Sequence, residues 1–388
     1  MRFLHTSDWH LGRSFHGQGT LDVQRAVLAE IVGWVREHAV DVVLVPGDVY
    51  DQAQPRAEVV ELLGRALADV RAAGAQLVLT SGNHDSAVRL GFGGPLLEPG
   101  GVHLRTRVED VDRPVVLPDP AGGTVLVYGV PYLEPRAVAA ALDAAPDHPS
   151  VTAAALDRVR ADAARRRAEL EGPVAVVVLA HTFASGAAET DSERDLNVGG
   201  LGTVPPSVFA GADYAALGHL HRRQTVTGTV RYSGSPVAYS FSEEGQTKGA
   251  WLVDLVPGGP PEVRPLDHVH GHRLARLRGT LAELLEDPRH AWAEDALCQV
   301  VLEDDHRPPH PMDSLRARFP RTLELRFEPA NAPEDRERTY AARVARAESP
   351  LEVCAAFYEH VRGRPVAEDE ARVLGAVVED VRAGEVPE

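Results

Sequence analysis

Residues 41–51 read DVVLVPGDVYD, a short run of valine and leucine that ends in a glycine and two carboxylates. A run of this length and composition is typical of a β-strand that is buried on both faces. Gly47 permits a sharp turn directly after the strand, and Asp48 and Asp51 follow that turn. The stretch therefore predicts a central strand that carries acidic side chains at its carboxyl end.

The same arrangement recurs through the first 220 residues. Further predicted strands are short apolar runs, at 2–6, 76–80, 124–128, 174–180 and 213–217. Apolar residues with helical spacing occupy segments between them, at 21–38, 56–71 and 150–171. Strands that alternate with helices predict an α/β fold with a largely parallel sheet.

Most of these strands run directly into side chains that can bind metals. The motifs at the strand ends are Ser7-Asp8-Trp9-His10, Gly47-Asp48-Val49-Tyr50-Asp51, Gly82-Asn83-His84-Asp85, His181 and Gly218-His219-Leu220-His221. Any one of them alone is more often a helix cap or a satisfied surface group. Because the carboxyl ends of parallel strands line one edge of a sheet, five together predict a metal site.

The ligand types narrow the class of metal. Imidazole, carboxylate and carboxamide groups without thiolates suit Mn, Fe or Zn, rather than a thiolate zinc site or a calcium cage. The candidate ligands are too many for one ion and suit two: Asp8, His10, Asp48, Asn83, His181, His219 and His221. Two such ions clamp the attacking and leaving oxygens of a displacement at phosphorus.

Composition limits the remaining function classes. The chain has 388 residues, enough for two or three domains, and its 44% hydrophobic and 25% charged residues exclude a disordered or fibrous protein. Its net charge of −17 repels a polyanion, so a role on nucleic acid would need metals, local arginines or a partner. Two cysteines and the lack of a long apolar segment predict a reduced cytoplasmic protein without a membrane span.

Changes in the pattern of predicted strands and helices along the chain indicate three domains. The α/β region is assigned to residues 1–265 and ends near a Pro- and Gly-rich linker at 257–261. Residues 266–345 alternate strands and helices, as in a small α+β capping domain. Residues 346–388 predict two short helices, the first capped by Ser349 and the second with an apolar stripe at Leu374, Val377, Val378 and Val381. Helices this small would dock on the body of the protein or on a partner.

In chain order, the motifs Asp-x-His, Gly-Asp-x-x-Asp, Gly-Asn-His-Asp, a lone His and Gly-His-x-His resemble those of the calcineurin-like metallophosphoesterase superfamily. Longer stretches resemble the bacterial SbcD family of nuclease subunits, at 5–12, 47–51, 216–221, 231–236, 239–243 and 349–353. The resemblance extends over nearly the whole chain. It implies an α/β fold in which a β-sandwich is flanked by helices, with a small α+β capping domain and a C-terminal helical pair.

The resemblance also implies an activity and partners. SbcD-like subunits are metal-dependent hydrolases that use two divalent ions, most often Mn²⁺, as double-strand exonucleases and as hairpin or single-strand endonucleases. They process DNA ends and hairpins in repair, recombination and replication, together with the ATPase SbcC. A homodimer of nuclease subunits within a heterotetramer is implied, with the capping domain recognising DNA and the terminal helices docking on SbcC. Such a complex is cytoplasmic and associates with the nucleoid when it is on DNA.

A role for each candidate residue follows from the same resemblance. The ligands would form two sets, Asp8, His10 and His221 for one metal and Asn83, His181 and His219 for the other, with Asp48 bridging. His84 would lie beside the phosphate, stabilise the transition state and protonate the leaving oxygen, while Asp51 orients His84. General chemistry supports the pairing, because a nearby carboxylate raises the pKa of an imidazole that two cations would depress.

Two alternatives remain open. A phosphoesterase for cyclic nucleotides or phosphoproteins would use the same ligands, but it has no obvious need for the capping domain and the terminal helices. A catalytically inactive scaffold would share the fold, yet every ligand position here holds a competent residue.

Other polar features are assigned less specific roles. Arg13 and Arg89 are the better candidates for DNA contacts, whereas residues 165–167 predict a solvated helix face. The histidine-rich tract 268–272 is expected to be a linker rather than a metal site. Lys248 is the only lysine, which we attribute to genome composition.

Overall fold

The computed structural model describes residues 1–120, 122–188, 202–329, 344, 346–347, 349–362 and 364–384. The chain forms two compact units. The first comprises Met1–Leu277, Leu284–Val300 and Met312–Leu325, and the second comprises Arg278–Glu283, Val301–Pro311 and Arg326–Glu388. Among the described residues, no helix combines the length and the hydrophobicity that crossing a bilayer requires.

Strands and helices of the described residues are numbered along the chain. The strands are β1 (Arg2–His5), β2 (Ser14–Phe15), β3 (Gln18–Gly19), β4 (Val42–Pro46), β5 (Gln76–Thr80), β6 (Val102–Arg105), β7 (Val115–Pro118), β8 (Thr124–Val130), β9 (Val174–His181), β10 (Tyr214–Gly218), β11 (Gln224–Thr225), β12 (Val230–Tyr232), β13 (Gly249–Asp254), β14 (Glu262–Asp267), β15 (Leu274–Gly279), β16 (Leu297–Leu302) and β17 (Thr322–Phe327). The helices are α1 (Leu21–Glu37), α2 (Ala57–Ala72), α3 (Ala87–Leu90), α4 (Gly94–Leu97), α5 (Pro135–Leu142), α6 (His148–Glu169), α7 (Leu281–Glu286), α8 (Pro311–Arg318), α9 (Pro350–Arg362) and α10 (Glu368–Gly384).

Two six-stranded sheets form the centre of the first unit. The first sheet has the order β14-β13-β1-β4-β5-β6, in which β1, β4, β5 and β6 are parallel and β13 and β14 pair antiparallel. The second has the order β11-β12-β10-β9-β8-β7, in which β8, β9, β10 and β12 are parallel. Because parallel strands share one direction, their carboxyl ends collect at one edge of each sheet.

The two sheets pack face to face around a shared apolar layer. Both sheets contribute buried side chains to it, among them Phe3, Val42, Leu44, Val78, Val125, Val127, Val177 and Leu179. Helices α1 and α2 cover the outer face of the first sheet, and α6 covers the outer face of the second. Strands that are covered on both faces must be apolar throughout, which explains their runs of valine and leucine. The predicted β-sandwich flanked by helices is confirmed.

The strands and helices predicted in the first 220 residues are confirmed to within two residues at each end. β6 was not predicted, because two of its four residues, His103 and Arg105, are polar. The structure buries both beside Glu98, whose carboxylate lies 2.6 Å from the Arg105 guanidinium. β14 pairs with β13 and extends the first sheet across the predicted boundary at 265/266. The three-domain division stays a prediction.

The later part of the chain follows the predicted order of strands and helices. β15, β16 and β17 form a three-stranded sheet and alternate with α7 and α8 along the chain. In the second unit, α9 and α10 contact each other. The Ser349 hydroxyl accepts the main-chain N–H of Glu352 at 3.2 Å, as predicted for an N-cap. Residues 330–343 of the predicted capping domain lie outside the described residues.

Candidate metal centre

The loops that follow β1 and β4 run side by side at the edge of the first sheet. The main-chain N–H groups of Asp8 and His10 donate to the carbonyl oxygens of Gly47 and Asp48, at 3.2 and 2.9 Å. Asp8, His10 and Asp48 have positive φ angles of 53°, 40° and 49°, and His219 has 104°. Such angles are strained for residues with a Cβ and are concentrated at functional sites. The main-chain contacts between the loops hold these side chains in place.

The structure brings the first predicted ligand set together. Ligand atoms of Asp8, His10 and His221 all lie within 4.8 Å of one another. The three side chains are buried. The Nε2 atoms of His10 and His221 are 3.1 Å apart, although 211 positions separate the residues in sequence. An ion between these atoms would therefore have ligands from both sheets.

The second predicted set converges on the Asn83 side chain. The Oδ1 atom of Asn83 lies 2.9 Å from Nε2 of His181 and 3.1 Å from Nδ1 of His219. The opposite nitrogen of His181, Nδ1, lies 3.0 Å from the carbonyl oxygen of Pro46. A neutral His181 donates its Nδ1 proton to that carbonyl, and the lone pair of Nε2 then faces the site.

Asp48 lies between the two sets. Its Oδ2 atom is 3.4 Å from Nε2 of His10 and 3.4 Å from Nε2 of His181. Its Oδ1 atom accepts the main-chain N–H of His84 at 2.9 Å, which fixes the orientation of the carboxylate. One oxygen of Asp48 therefore faces a member of each set.

The donor atoms fit divalent metals. Three overlapping groups each have their nitrogen and oxygen ligand atoms within 4.8 Å of one another: Asp8–His10–His221, His10–Asp48–His84 and Asp8–Asp48–His181. None of these groups contains a thiolate, so the site suits Mn, Fe or Zn in the way that the sequence predicts.

Burial and the charges of neighbouring groups shift the pKa values of Asp8, His181 and Asp48. Burial raises the pKa of Asp8 to about 6, although His181 and His221 oppose the change. Burial lowers the pKa of His181, but the charges of Asp48 and Asp8 outweigh it and raise the pKa to about 9. Burial also opposes ionisation of Asp48, yet the neighbouring His181 and His10 hold the pKa of Asp48 well below its usual range. Without metal, the raised pKa of His181 favours the imidazolium form at neutral pH, and a metal would have to displace the Nε2 proton to use the lone pair of that nitrogen.

His84 lies at the rim of the site, with 30% of its side chain exposed. Its Nδ1 atom lies 2.9 Å from the main-chain carbonyl oxygen of Asp51, whereas the nearest carboxylate oxygen of Asp51 is 4.0 Å away. That carboxylate oxygen lies 3.3 Å from Nδ1 of His10 and 3.6 Å from the Arg13 guanidinium. His84 is therefore closer to the main chain of Asp51 than to its carboxylate, which faces the predicted ligand His10.

Glycine is required where the loops approach one another. A Cβ at Gly82 would lie 2.1 Å from Oδ1 of Asp48, and a Cβ at Gly218 would lie 1.9 Å from the carbonyl oxygen of Pro46. Both distances are far below van der Waals contact, so no larger residue fits without moving the site. Glycine at both positions therefore allows the main chains of these loops to approach closely.

Asp85 connects two of the loops and was not among the predicted site residues. Its carboxylate accepts the main-chain N–H groups of Val49 at 3.0 Å, Tyr50 at 2.8 Å and Gly82 at 2.9 Å. Burial raises the pKa of Asp85 to about 6, and the charge of Asp48 acts in the same direction. The position of Asp85 in the Gly-Asn-His-Asp motif was the signal that could have revealed it.

Residues that support the ligands from behind were also missed. The Ser7 hydroxyl donates to Oδ2 of Asp8 at 2.5 Å. Glu243 is fully buried, with Oε1 3.7 Å from Nδ1 of His221, and it forms an ion pair with Lys248. Hydrophobic periodicity carries no signal for such contacts, because they depend on the direction of polar side chains and not on apolar spacing.

The basic candidates differ in their distance from the site. Arg13 lies over the ring of Tyr239, with its guanidinium carbon 5.1 Å from the ring centre, and it contacts Asp51. Arg89 is exposed and donates to the carbonyl oxygen of Ala53 at 2.9 Å. Arg165 pairs with Glu169 on an exposed face of α6, as predicted for a solvated surface.

The histidine-rich tract at 268–272 is anchored more firmly than expected for a linker. Nδ1 of His268 lies 2.6 Å from the Glu30 carboxylate, and its ring stacks on Trp34 with centres 4.5 Å apart. Both partners belong to α1. This part of the tract therefore packs on the first helix instead of contributing to the metal centre.

Two families of known proteins match parts of the chain. The family described as Calcineurin-like phosphoesterase matches residues 1–223, and the family described as Type 5 capsule protein repressor C-terminal domain matches residues 270–362. The chain is similar to the SbcD subunit of the nuclease SbcCD from Bacillus subtilis (strain 168), with 31% identity over 388 residues and 95% of each chain covered. The chain belongs to the SbcD family.

Two further SbcD-family proteins are similar to the chain. The SbcD protein of the Rhodobacter capsulatus nuclease SbcCD is 38% identical over 280 residues, which cover 69% of each chain. That of Escherichia coli (strain K12) is 34% identical over 296 residues, which cover 73% of this chain and 72% of the relative. The chain is accordingly a metal-dependent nuclease of this family, and its two sheets form the calcineurin-like sandwich that the motifs predict.

Proposed function

We propose that this chain is a two-metal DNA nuclease subunit that hydrolyses phosphodiesters at duplex ends and hairpins. The observation that carries the proposal is the position of Oδ2 of Asp48, 3.4 Å from the Nε2 atoms of both His10 and His181. A carboxylate oxygen that faces two ligand sets suits a pair of adjacent ions. We propose Mn²⁺ for both ions, because it accepts mixed imidazole, carboxylate and carboxamide ligands.

Each residue then has a defined task. Asp8, His10 and His221 would hold one ion, Asn83, His181 and His219 the other, and Asp48 both. When bound, the ions would neutralise phosphate charge and activate the attacking water. At the exposed rim, His84 would contact a phosphate oxygen and give a proton from Nε2 to the leaving oxygen. In the tautomer with a proton on Nδ1, His84 would donate that proton to the carbonyl of Asp51, which fixes the orientation of the ring.

The proposal extends to the domains. Residues 1–265 would form the nuclease domain, residues 266–345 a capping domain that recognises DNA, and residues 346–388 a docking element for the ATPase SbcC. The relatives' names, as subunits of SbcCD, support a complex of this kind. Its roles would be DNA repair, recombination and replication, in the cytoplasm and at the nucleoid.

Hydrolysis of two substrates tests the proposed function. With Mn²⁺, we expect the chain to cleave both a hairpin duplex and bis-p-nitrophenyl phosphate, and we expect SbcC with ATP to accelerate only the first reaction. Hydrolysis of the small diester alone, unaffected by SbcC, would instead support a small-substrate phosphoesterase. A protein that binds two ions and hydrolyses neither substrate would be an inactive scaffold.

The terminal helices expose an apolar surface that supports the docking role. Val373, Val377 and Val381 of α10 are 63%, 53% and 55% exposed, and Val361 of α9 is 62% exposed. Leu374 and Val378 of the predicted stripe are only half-buried. The spacing of four residues between the exposed valines places them on one side of α10.

Charges on this surface are expected to abolish docking. We predict that Val373→Asp combined with Val377→Asp prevents co-purification with SbcC, because burying an unpaired carboxylate in an apolar interface costs more than the roughly 2–7 kcal/mol of an unpaired neutral polar group. Hydrolysis of bis-p-nitrophenyl phosphate should be unchanged. Ala371→Asp, which adds a charge on another side of α10, is the matched control and should leave complex formation intact. Normal binding of SbcC by the double variant would contradict the assignment.

A second apolar surface supports the proposed homodimer. Val88, Phe92 and Leu96 are 73%, 86% and 86% exposed and follow the Gly-Asn-His-Asp motif directly. Large exposed apolar side chains within one short segment are typical of interaction sites, and a two-fold dimer pairs the same surface from both copies.

We expect Phe92→Glu combined with Leu96→Glu to convert the dimer to a monomer, as measured by light scattering after size exclusion. Four carboxylates would face one another across the two-fold axis. The variant should retain its bound Mn²⁺. Val256→Glu changes another exposed apolar residue, 55% exposed, and should leave the dimer intact. A double variant that remains dimeric would place the interface elsewhere.

Metal binding is expected to release protons. Because the pKa of His181 is raised to about 9 and that of Asp8 to about 6, metal must displace about one proton between pH 6 and 9 and a second below pH 6. Affinity should therefore rise with pH, by about tenfold per unit in the upper range, and level off above pH 9. Calorimetric titration with Mn²⁺ at pH 7.5, in two buffers of different ionisation enthalpy, measures this release. The control variant His103→Asn, which is remote from the predicted ligands, should release the same number of protons as the wild type. A metal affinity that does not change with pH would contradict the prediction.

A further inference from the structure

Lys248, the only lysine among 40 basic residues, lies directly behind the first ligand set. Its Nζ atom donates to the carbonyl oxygen of His221 at 2.8 Å and to the Ser235 hydroxyl at 3.1 Å, and it forms an ion pair with Glu243. Gln246 provides a longer contact at 3.3 Å. The Lys248 side chain is only 10% exposed.

An ammonium group suits this position and a guanidinium does not. Four acceptors surround one nitrogen, and the three shortest contacts, to His221, Ser235 and Glu243, match the three N–H donors of lysine. Arginine spreads its donors over a rigid planar fork and could not direct three of them to the same point. The other strongly basic residues of the chain are all arginine. The geometry of this site therefore gives a physical reason for lysine at position 248, in addition to the genome composition inferred from the sequence.

Glu243 connects this lysine to a metal ligand. Its Oε1 atom accepts the main-chain N–H of Tyr239 at 3.0 Å and lies 3.7 Å from Nδ1 of His221. The opposite nitrogen of the same ring, Nε2, faces His10. At 3.7 Å the contact between Glu243 and His221 is longer than a hydrogen bond, so the Glu243 carboxylate acts on the Nδ1 side of the ring by electrostatic attraction, which favours the tautomer that leaves Nε2 free for a metal.

In the second ligand set, a main-chain carbonyl group and not an ion pair contacts His181. Nδ1 of His181 lies 3.0 Å from the carbonyl oxygen of Pro46, which belongs to the main chain of β4. A side-chain substitution cannot remove that contact. The two sets therefore differ in what holds their histidines, since a buried ion pair supports His221 and the sheet backbone supports His181.

We infer that Glu243 and Lys248 are positioning residues for His221 and selectively maintain the metal position formed by Asp8, His10 and His221. The inference rests on the proposed two-metal function. It assigns the ion pair to one ion of the two, so that its loss should change the number of bound ions and leave the protein folded.

The number of Mn²⁺ ions per chain tests this inference. Wild type should bind two, whereas Lys248→Arg and Glu243→Gln should bind one ion normally and the other about 10- to 100-fold more weakly, as titration calorimetry and elemental analysis report. Glu98→Gln is the matched control. Like Glu243, Glu98 lies between a basic side chain and an imidazole, with Arg105 at 2.6 Å and His103 at 3.4 Å, but it is remote from the predicted ligands. This variant should bind two ions.

An Asn83→Ala background identifies the ion that is lost. Asn83→Ala should leave one ion, at the first ligand set, and adding Lys248→Arg or Glu243→Gln should weaken the binding of that ion by the same roughly 10- to 100-fold. Two tightly bound ions in both single variants, or equal loss of both ions, would overturn the inference. Circular dichroism of the metal-free variants shows whether each is folded. If Lys248→Arg does not fold, Glu243→Gln alone tests the inference. Fewer than two ions in wild type would instead contradict the two-metal proposal itself.

Discussion

Asp48→Ala is expected to abolish hydrolysis and to reduce bound Mn²⁺ by at least one ion per chain. The substitution removes the oxygen that lies 3.4 Å from a histidine of each ligand set. Without this carboxylate, the two positions would lose their shared ligand, and the repulsion between two adjacent divalent ions would no longer be offset. Elemental analysis beside cleavage rates on one duplex measures both effects.

A carboxylate outside the site provides the control. Asp162 accepts from Tyr128 at 2.8 Å and pairs with Arg166 at 2.6 Å on α6. Asp162→Ala removes a similarly paired carboxylate, and it should retain two ions and the wild-type rate. If Asp48→Ala also retained two ions, Asp48 would not be the shared ligand.

His84→Gln is expected to reduce turnover by roughly 10²- to 10⁴-fold while both ions stay bound, which is the usual contribution of a general acid or of one transition-state contact. The substitution preserves the main-chain N–H that His84 donates to Asp48 at 2.9 Å, so the orientation of Asp48 should not change. The His84 side chain is 30% exposed, so its replacement should leave the core intact. Single-turnover rates and elemental analysis on the same preparations separate the two effects.

The neighbouring residue provides the contrast. Asn83→Ala should lose one ion, since Oδ1 of Asn83 lies 2.9 Å from His181 and 3.1 Å from His219. Its activity should fall together with its metal content. If His84→Gln lost metal in the same way, or cleaved at the wild-type rate, then His84 would be a ligand or a bystander instead of a catalyst.

Local pattern in the sequence was enough to predict the sandwich and the identity of the candidate ligands. A strand that is covered on both faces must be a continuous apolar run, and the residues after it must turn at the sheet edge, so both signals lie within about ten positions of each other. The N-cap at Ser349 is local for the same reason, because its partner Glu352 is one helical turn away.

Tertiary structure alone decided how the loops meet. The carboxylate of Asp51 lies nearer to His10, at 3.3 Å, than to His84, at 4.0 Å, and the Asp51 carbonyl lies 2.9 Å from His84, distances that depend on side-chain direction and not on spacing. Local pattern could not reveal the support of His221 by Glu243 and Lys248 either, since that contact joins loops at the ends of different strands. Long-range contacts of this kind depend on strand order and on the close approach of main chains at Gly82 and Gly218, which arise only when the two sheets are packed.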